Sequence, residues 1–182
     1  GVFMIGIFSP GPNVLSIIGT SMSVDRGAGK SLACGIATGS FLWGLLAWLG
    51  LTAVLVTYAA LMAAIKVAGA AYLLWLAFKA FRSAATPKDV TPKGLRLKGG
   101  LGAYYRRGLI IQMTNPKAAL TWTAIVALGV SASAPWWVGG IIVAGTTVLS
   151  FVGHIGYAVA FSTPPMVLAY ARARRWIAVG LG

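Results

Sequence analysis

The chain has 182 residues, of which 58% are hydrophobic and 9% are charged, and its formal net charge is +13. Between Ala118 and Ala171 the imidazole of His154 is the only side chain that is acidic or basic. A water-soluble domain cannot solvate its surface with such a segment. These properties exclude a soluble globular protein and predict an integral membrane protein.

The positive charge is distributed as in a membrane protein rather than a nucleic-acid-binding protein. Most Lys and Arg residues fall in three polar connections, near residues 26–30, 79–107 and 172–175. If two spans separate each connection from the next, all three lie on the cytoplasmic side of the membrane, as the positive-inside rule requires. The sequence therefore predicts a multi-pass protein in a lipid bilayer, with a cytoplasmic basic loop at 79–107 and no nucleic-acid partner.

Apolar runs between turn-forming residues predict the membrane-spanning helices in chain order. Their expected ranges are about 1–20, 32–54, 61–81, 108–129 and 136–160. A sixth span begins at Trp176 and reaches only about 10 Å, roughly a third of the bilayer core. Since the first residue is Gly1 rather than Met, both ends are expected to be truncated. We predict an all-α integral membrane protein with a single transmembrane domain.

Prolines interrupt two of these spans well inside their ends: Pro10 and Pro12 in the first span, and Pro116 in the fourth. Because proline has no N–H group, carbonyls four residues earlier, including that of Gln112, lose their helical donors. Irregular backbone at this depth is tolerated where it is buried in protein or lines a wet cavity. Asn115 before Pro116 also has the pattern of a cap followed by a first helical residue. Each span is predicted to form two half-helices, the alternative being a simple kink.

The matched positions of the two breaks predict an internal repeat. Repeat 1 covers about 1–82, the basic loop about 83–107 and repeat 2 about 108–182. With three spans in each half, the second half enters the membrane upside down, which makes six helices in a 3+3 inverted repeat. The positive N-termini of the restarted half-helices would then stabilise a carboxylate, and freed carbonyls would receive an ammonium group. A zwitterionic amino acid fits both.

Lys117 is predicted to lie inside the fourth span, on the order of 13 Å from its inner end. A charge near the bilayer centre costs about 2.5–3.5 kcal/mol, so such residues are functional by default. Together with Asn13 and Asn115 it forms the expected substrate site. The alternatives are a lysine that extends towards the interface or one that donates structurally to the freed carbonyls.

Three segments together resemble the lysine exporter and homoserine/threonine exporter (LysE/RhtB-type) translocator family. The matching residues are Pro10-Gly11-Pro12-Asn13, then Lys66, Gly69, Ala70, Ala71, Tyr72, Leu73 and Trp75 with Arg82 following, and Asn115-Pro116-Lys117-Ala118. The resemblance implies a bacterial inner-membrane exporter of amino acids or related small metabolites, driven by the proton motive force. The complete set of expected substrate-binding or translocation residues is Pro10, Gly11, Pro12, Asn13, Gly39, Ser40, Tyr72, Asn115, Pro116 and Lys117.

The sequence departs from the family pattern in the second span. Many relatives have an aspartate after the glycine there, whereas this chain has Gly39-Ser40. Without that carboxylate, His154 is the side chain inside a span that titrates near neutral pH, which makes it the candidate for proton coupling. The alternative for His154 is a hydrogen-bonded packing residue. Gly35 and Gly39 form a small-residue pair that is typical of close helix packing.

Two classes of function remain in view. The first is secondary-active export by alternating access around the broken helices. The second is a membrane-embedded enzyme or lipid-handling protein that uses the same cavity. Catalysis needs a poised acid, base or metal cluster, and the lone Cys34 provides no cysteine-based metal site, so neither an enzyme, a metal nor a cofactor is predicted. The expected partners are an amino acid substrate and the bilayer, and association between copies of the chain is left open.

Overall fold

The computed structural model describes residues 12–57, 64–65, 67–72, 74–75, 78, 96–130, 134–166 and 168–169. Five helices have defined bounds within these residues: α1 Pro12–Ser23, α2 Arg26–Thr57, α3 Gly100–Met113, α4 Pro116–Gly129 and α5 Trp137–Ala160. The described positions between 64 and 78 are also helical, and no β-strand occurs in the described part of the chain. The all-α prediction is confirmed in this part.

The longest helix, α2, begins earlier than the sequence predicts. The expected second span was 32–54, with Arg26 and Lys30 in a polar connection, whereas α2 covers Arg26–Thr57. Asp25 causes the difference, because its Oδ1 accepts a hydrogen bond of 2.8 Å from the backbone N–H of Ala28. An aspartate that caps the first turn stabilises a helix start at Arg26, whereas Arg26 and Lys30 considered alone predict a polar connection. At 32 residues α2 is about 48 Å long, which exceeds the roughly 30 Å of the hydrocarbon core.

The basic connection before the second half ends earlier than the sequence predicts. Residues 83–107 were expected to form a loop, but α3 begins at Gly100, so the last eight residues of that range are helical. Gly99 and Gly100 have φ angles of 111° and 64°, which glycine adopts without steric cost. The chain therefore turns at these two glycines and enters a helix whose second turn carries Arg106 and Arg107.

Two of the described helices are long and apolar enough to cross a membrane, residues Arg26–Gly50 of α2 and the whole of α5. Large apolar side chains on both remain exposed, including Leu46 on α2 and Val152 on α5. Each of α3 and α4 has 14 residues, fewer than the about 20 that one crossing needs. The arrangement of six spans as an inverted repeat stays a prediction.

The core is organised around α2. One buried cluster joins Ile17 of α1 to Leu32 and Ile36 of α2, Tyr104 of α3 and Ala158 of α5. A second cluster lies further along α2, where Trp48 of α2 and Ile142 of α5 pack against a buried group that includes Val126 and Ala127 of α4. Because both clusters share α2, this helix fixes the positions of α1, α3, α4 and α5 relative to one another.

Small residues allow α2 and α3 to cross at backbone distance. A Cβ atom on Gly35 would overlap the backbone carbonyl of Tyr105, and a Cβ atom on Gly108 would overlap the backbone carbonyl of Leu32. Neither obstacle is a flexible side chain, so the backbones themselves would have to separate. The sequence-based interpretation of Gly35 as a packing residue agrees with this geometry.

We therefore expect Gly35→Ala and Gly108→Ala each to destabilise the protein by about 1–3 kcal/mol, the usual cost of overpacking. Thermal unfolding of the purified protein in detergent measures the effect. Gly145→Ala is the matched control, since no atom lies within 4 Å of the added Cβ. An unfolding temperature of Gly35→Ala at or above that of the control would contradict the close crossing.

Candidate functional site

The junction between α3 and α4 is built around Asn115. The backbone of Asn115 is extended, with φ −83° and ψ 106°, and its side-chain oxygen accepts a 3.0 Å hydrogen bond from the backbone N–H of Lys117. Pro116 occupies the first helical position, where a missing N–H group costs nothing. The cap followed by proline therefore has the local geometry that the sequence predicts.

The carbonyl of Gln112 receives a replacement donor from another helix. Its helical donor would be the N–H of residue 116, which is proline. In the structure the indole Nε1 of Trp43, on α2, donates to this carbonyl at 3.1 Å, and the backbone N–H of Asn115 approaches it at 3.3 Å. The helix break is thus held against α2 by the indole of Trp43, which replaces the helical donor that Pro116 lacks.

Four polar side chains from four helical segments form a continuous hydrogen-bonded chain, which we call the amide chain. Asn115 Nδ2 donates to Asn13 Oδ1 at 3.4 Å, and Asn13 Nδ2 donates to Gln112 Oε1 at 2.5 Å. Gln112 Nε2 then donates to Ser40 Oγ at 2.6 Å. The amide chain connects the start of α4, the first turn of α1, the end of α3 and the middle of α2.

The orientation of every amide in this chain follows from one backbone contact. Because Asn115 Oδ1 accepts from the N–H of Lys117, the Nδ2 group of Asn115 must face Asn13. Asn13 consequently presents its oxygen to Asn115 and its nitrogen to Gln112, and the nitrogen of Gln112 faces Ser40. A single capping bond therefore orients hydrogen-bond donors and acceptors across the whole site.

The end of the amide chain at α2 is enclosed by protein. Gln112 is 3% exposed and Ser40 is 4% exposed, whereas Asn13 and Asn115 are partly accessible. Gly39 provides the space for this approach, since a Cβ atom there would lie 2.7 Å from Cγ of Gln112. The accessible asparagines are the members of the chain that a small solute can reach.

Tyr72 and Lys117 meet at the first turn of α4. The hydroxyl of Tyr72 donates to the backbone carbonyl of Lys117 at 3.4 Å, and the Tyr72 ring lies 5.8 Å from that of Trp75. Lys117 is partly buried and directly follows Pro116 in this turn. The structure thus brings together six of the sequence-predicted residues or their backbones: Asn13, Gly39, Ser40, Tyr72, Asn115 and Lys117.

The remaining predicted residues are placed differently. Pro10 and Gly11 lie outside the described residues, and Pro12 and Pro116 are exposed first residues of their helices. His154 is buried on α5, and its Nδ1 lies 2.8 Å from the backbone carbonyl of Ser150 and 3.1 Å from the Ser150 hydroxyl. Within the described part of the chain these contacts do not connect His154 to the amide chain.

Sequence reasoning missed the side chains of Gln112 and Trp43. Gln112 was considered only for its carbonyl, although a glutamine within an otherwise apolar turn, three residues before Asn115, was a usable signal. Trp43 gave no signal, because one tryptophan among the apolar residues of α2 is not distinguishable from a lipid-facing one. Asn, Gln and Ser side chains bind polar groups without a poised acid or base, so the amide chain can hold a substrate but does not constitute a catalytic pair.

Comparison with known proteins identifies the family. The profile of the LysE type translocator family matches residues 4–182. The chain is 30% identical to the uncharacterized membrane protein YahN of Escherichia coli K12 over 96% of its own length and 78% of that protein. It is 28% identical to the threonine efflux protein of Salmonella typhi and 27% identical to that of E. coli K12, in both cases over 97% of this chain and 86% of the relative. No solved structure matches the chain. The resemblance noted from the three motifs is confirmed, and the chain belongs to the LysE family of translocators.

Proposed function

We propose that this protein exports an amino acid or a related small zwitterion across the bacterial inner membrane. The observation that carries the proposal is the contact between Asn13 and Asn115, two asparagines on different helices whose amides reach each other at 3.4 Å. Membership of a translocator family and similarity to threonine efflux proteins support transport as the class of activity. The amide chain supplies binding groups rather than acid–base groups, which favours transport over the alternative of a membrane-embedded enzyme or lipid-handling protein.

Substrate binds where the amide chain is weakest. At 3.4 Å the Asn115–Asn13 link is longer than an ordinary N–H···O hydrogen bond, and both asparagines are partly accessible, so this link is the least costly to open. A substrate carboxylate inserted there accepts N–H groups from Asn115 and is stabilised by the N-terminal end of α4. The partly buried Lys117 adds positive charge to the same turn. The ammonium group is received by Asn13 Oδ1, which loses its donor when the link to Asn115 opens.

For alternating access, α3 and α4 form the two halves of one broken membrane span. In this scheme α1 belongs to the corresponding broken span of repeat 1, and the two repeats rock about Asn13 and Asn115 to expose the site to each side in turn. The Asn115 junction then lies near the bilayer midplane. The basic segment at 79–107 faces the cytoplasm, since it carries the largest group of cations.

Efflux from proteoliposomes tests the proposed function. Vesicles that contain the purified chain are loaded with radiolabelled threonine, and parallel sets with homoserine, lysine, leucine and glutamate identify the preferred class. Release faster than from protein-free vesicles, and competition by one unlabelled amino acid, are the expected results. Release at the protein-free rate for the whole panel, under an imposed pH difference of either sign, would contradict the proposal.

Proton coupling through His154 has a test of its own. His154→Gln retains hydrogen-bonding groups but removes the side chain that titrates near neutral pH. If His154 carries the proton, the variant should exchange labelled for unlabelled substrate at the wild-type rate yet fail to accumulate substrate when a pH difference is imposed. Accumulation at the wild-type rate would exclude His154 as the carrier and confine it to its bond with Ser150.

A further inference from the structure

A groove on the surface of α3 is lined by both basic and apolar side chains. It encloses about 450 Å³, and Lys98, Ala103, Arg106, Arg107 and Ile110 are among its lining residues. We name it the basic groove. Residues 103, 106, 107 and 110 recur at the spacing of one helix face, so the groove runs along α3 instead of crossing it. Along this face Arg106 and Arg107 are followed one turn further on by Ile110 and Ile111.

The cations of the basic groove have no anionic partner in the described part of the chain. Lys98, Arg106 and Arg107 make no hydrogen bond or ion pair with any described residue. Asp25 is the one acidic residue among the described residues, and its Oδ1 caps the first turn of α2. Three converging positive charges without an internal counter-ion attract an anion from outside the protein.

The depth of the basic groove indicates which anion it meets. With Asn115 near the midplane, as in the proposed function, Arg107 and Arg106 lie about 12–14 Å away along the helix axis. This is close to the edge of a hydrocarbon core about 30 Å thick, where phosphate headgroups begin. Ile110 is 54% exposed and lies one turn deeper, at the level of the acyl chains. Acyl chains contact the protein at this depth, so one phospholipid can place its phosphate against the cations and its acyl chain against Ile110.

We propose that the basic groove binds an anionic phospholipid, with the phosphate against Lys98, Arg106 and Arg107 and an acyl chain along Ile110. Each basic side chain near the membrane surface contributes roughly a fivefold preference for an anionic over a zwitterionic headgroup. The bound lipid neutralises charge at the start of α3 and anchors this end of the helix at the interface. The site is separate from the amide chain, which lies at the other end of α3.

Native mass spectrometry of the purified full chain tests the proposal. The protein is released from detergent with equal amounts of palmitoyl-oleoyl phosphatidylglycerol and phosphatidylcholine, and the ratio of the two bound lipids is measured. We expect the wild-type protein to prefer phosphatidylglycerol, and R106Q/R107Q to lower that preference by about tenfold or more. Lys98→Gln serves as a second variant, because Lys98 precedes α3 and its replacement leaves the packing of that helix unchanged. R26Q/K30Q is the control, since it removes the same charge from the start of α2; it also removes the hydrogen bond from Arg26 to Ser162, so its thermal unfolding is compared with that of the wild-type protein.

The outcomes separate a specific lipid site from general charge attraction and from substrate binding. An unchanged lipid ratio in both groove variants, or an equal loss in R26Q/K30Q, would overturn the proposal. Displacement of phosphatidylglycerol by sn-glycerol 3-phosphate at equal concentration would assign the groove to a soluble anion instead. The groove variants should lose the lipid preference and keep efflux, whereas Asn115→Ala should lose efflux and keep the lipid preference. These opposite results separate the groove from the substrate site.

Discussion

Asn115→Ala and Lys117→Ala are expected to slow efflux by roughly 10- to 100-fold at unchanged abundance in the membrane. A hydrogen bond to a charged group contributes about 1.5–3 kcal/mol, and its loss in the transport cycle converts to a factor of that size. Asn115 supplies the donor that reaches Asn13, and Lys117 supplies the charge in the turn that follows. Efflux from proteoliposomes, normalised to the amount of incorporated protein, measures both effects.

Asn115→Ser separates the role of Asn115 in the helix cap from its role in the substrate path. Serine caps a helix about as well as asparagine, but its hydroxyl is too short to span the 3.4 Å contact with Asn13 as the amide does. We expect Asn115→Ser to regain the roughly 1 kcal/mol of stability that Asn115→Ala loses, and to remain slow in efflux. Lys30→Ala, which removes an exposed cation outside the site, is the control for Lys117→Ala. Wild-type efflux by Asn115→Ser would reduce Asn115 to a capping residue.

The accuracy of the sequence-based predictions depends on whether the deciding interaction is local. The cap at Asn115 and the start of α4 at Pro116 involve residues within one turn, and the structure has both. The start of α2 is equally local, yet it was missed because Arg26 and Lys30 were interpreted as a membrane-flanking loop, although Asp25 offered a cap signal. Local rules therefore predict helix ends when the capping residue is weighed before the charges.

The amide chain could be predicted only in part, because it depends on contacts between helices. Asn13 and Asn115 stand out as polar residues beside prolines, but their contact joins residues 102 positions apart, more than half of the chain. The connection of Gln112 to Ser40 also requires the close approach at Gly39, which no single-sequence pattern specifies. Trp43 contributes through an indole N–H group whose partner is a backbone carbonyl, an interaction that residue types do not predict.

Gln112→Leu is expected to abolish efflux and to destabilise the protein by about 2–4 kcal/mol. Gln112 accepts from Asn13 and donates to Ser40, so leucine leaves the buried Ser40 hydroxyl without its donor and removes the acceptor of the partly accessible Asn13 amide. Each buried polar group that loses its partner costs about 1–3 kcal/mol. Thr114→Ala is the matched control at the same junction, because the Thr114 hydroxyl bonds only to carbonyls of its own helix and its replacement is expected to change stability by about 0.5 kcal/mol or less.

A second variant distinguishes loss of stability from loss of the substrate path. When both partners of a buried hydrogen bond become apolar, the cost is much smaller than when one partner is removed, so Gln112→Leu/Ser40→Ala should recover about 1 kcal/mol relative to Gln112→Leu alone. Thermal unfolding in detergent measures that recovery, and proteoliposome efflux is measured on the same preparations. We expect this partial recovery of stability while efflux remains lost, because Asn13 still lacks the acceptor that orients it towards Asn115. Recovery of efflux in parallel with stability would show that Gln112 supports the fold and takes no part in orienting the substrate site.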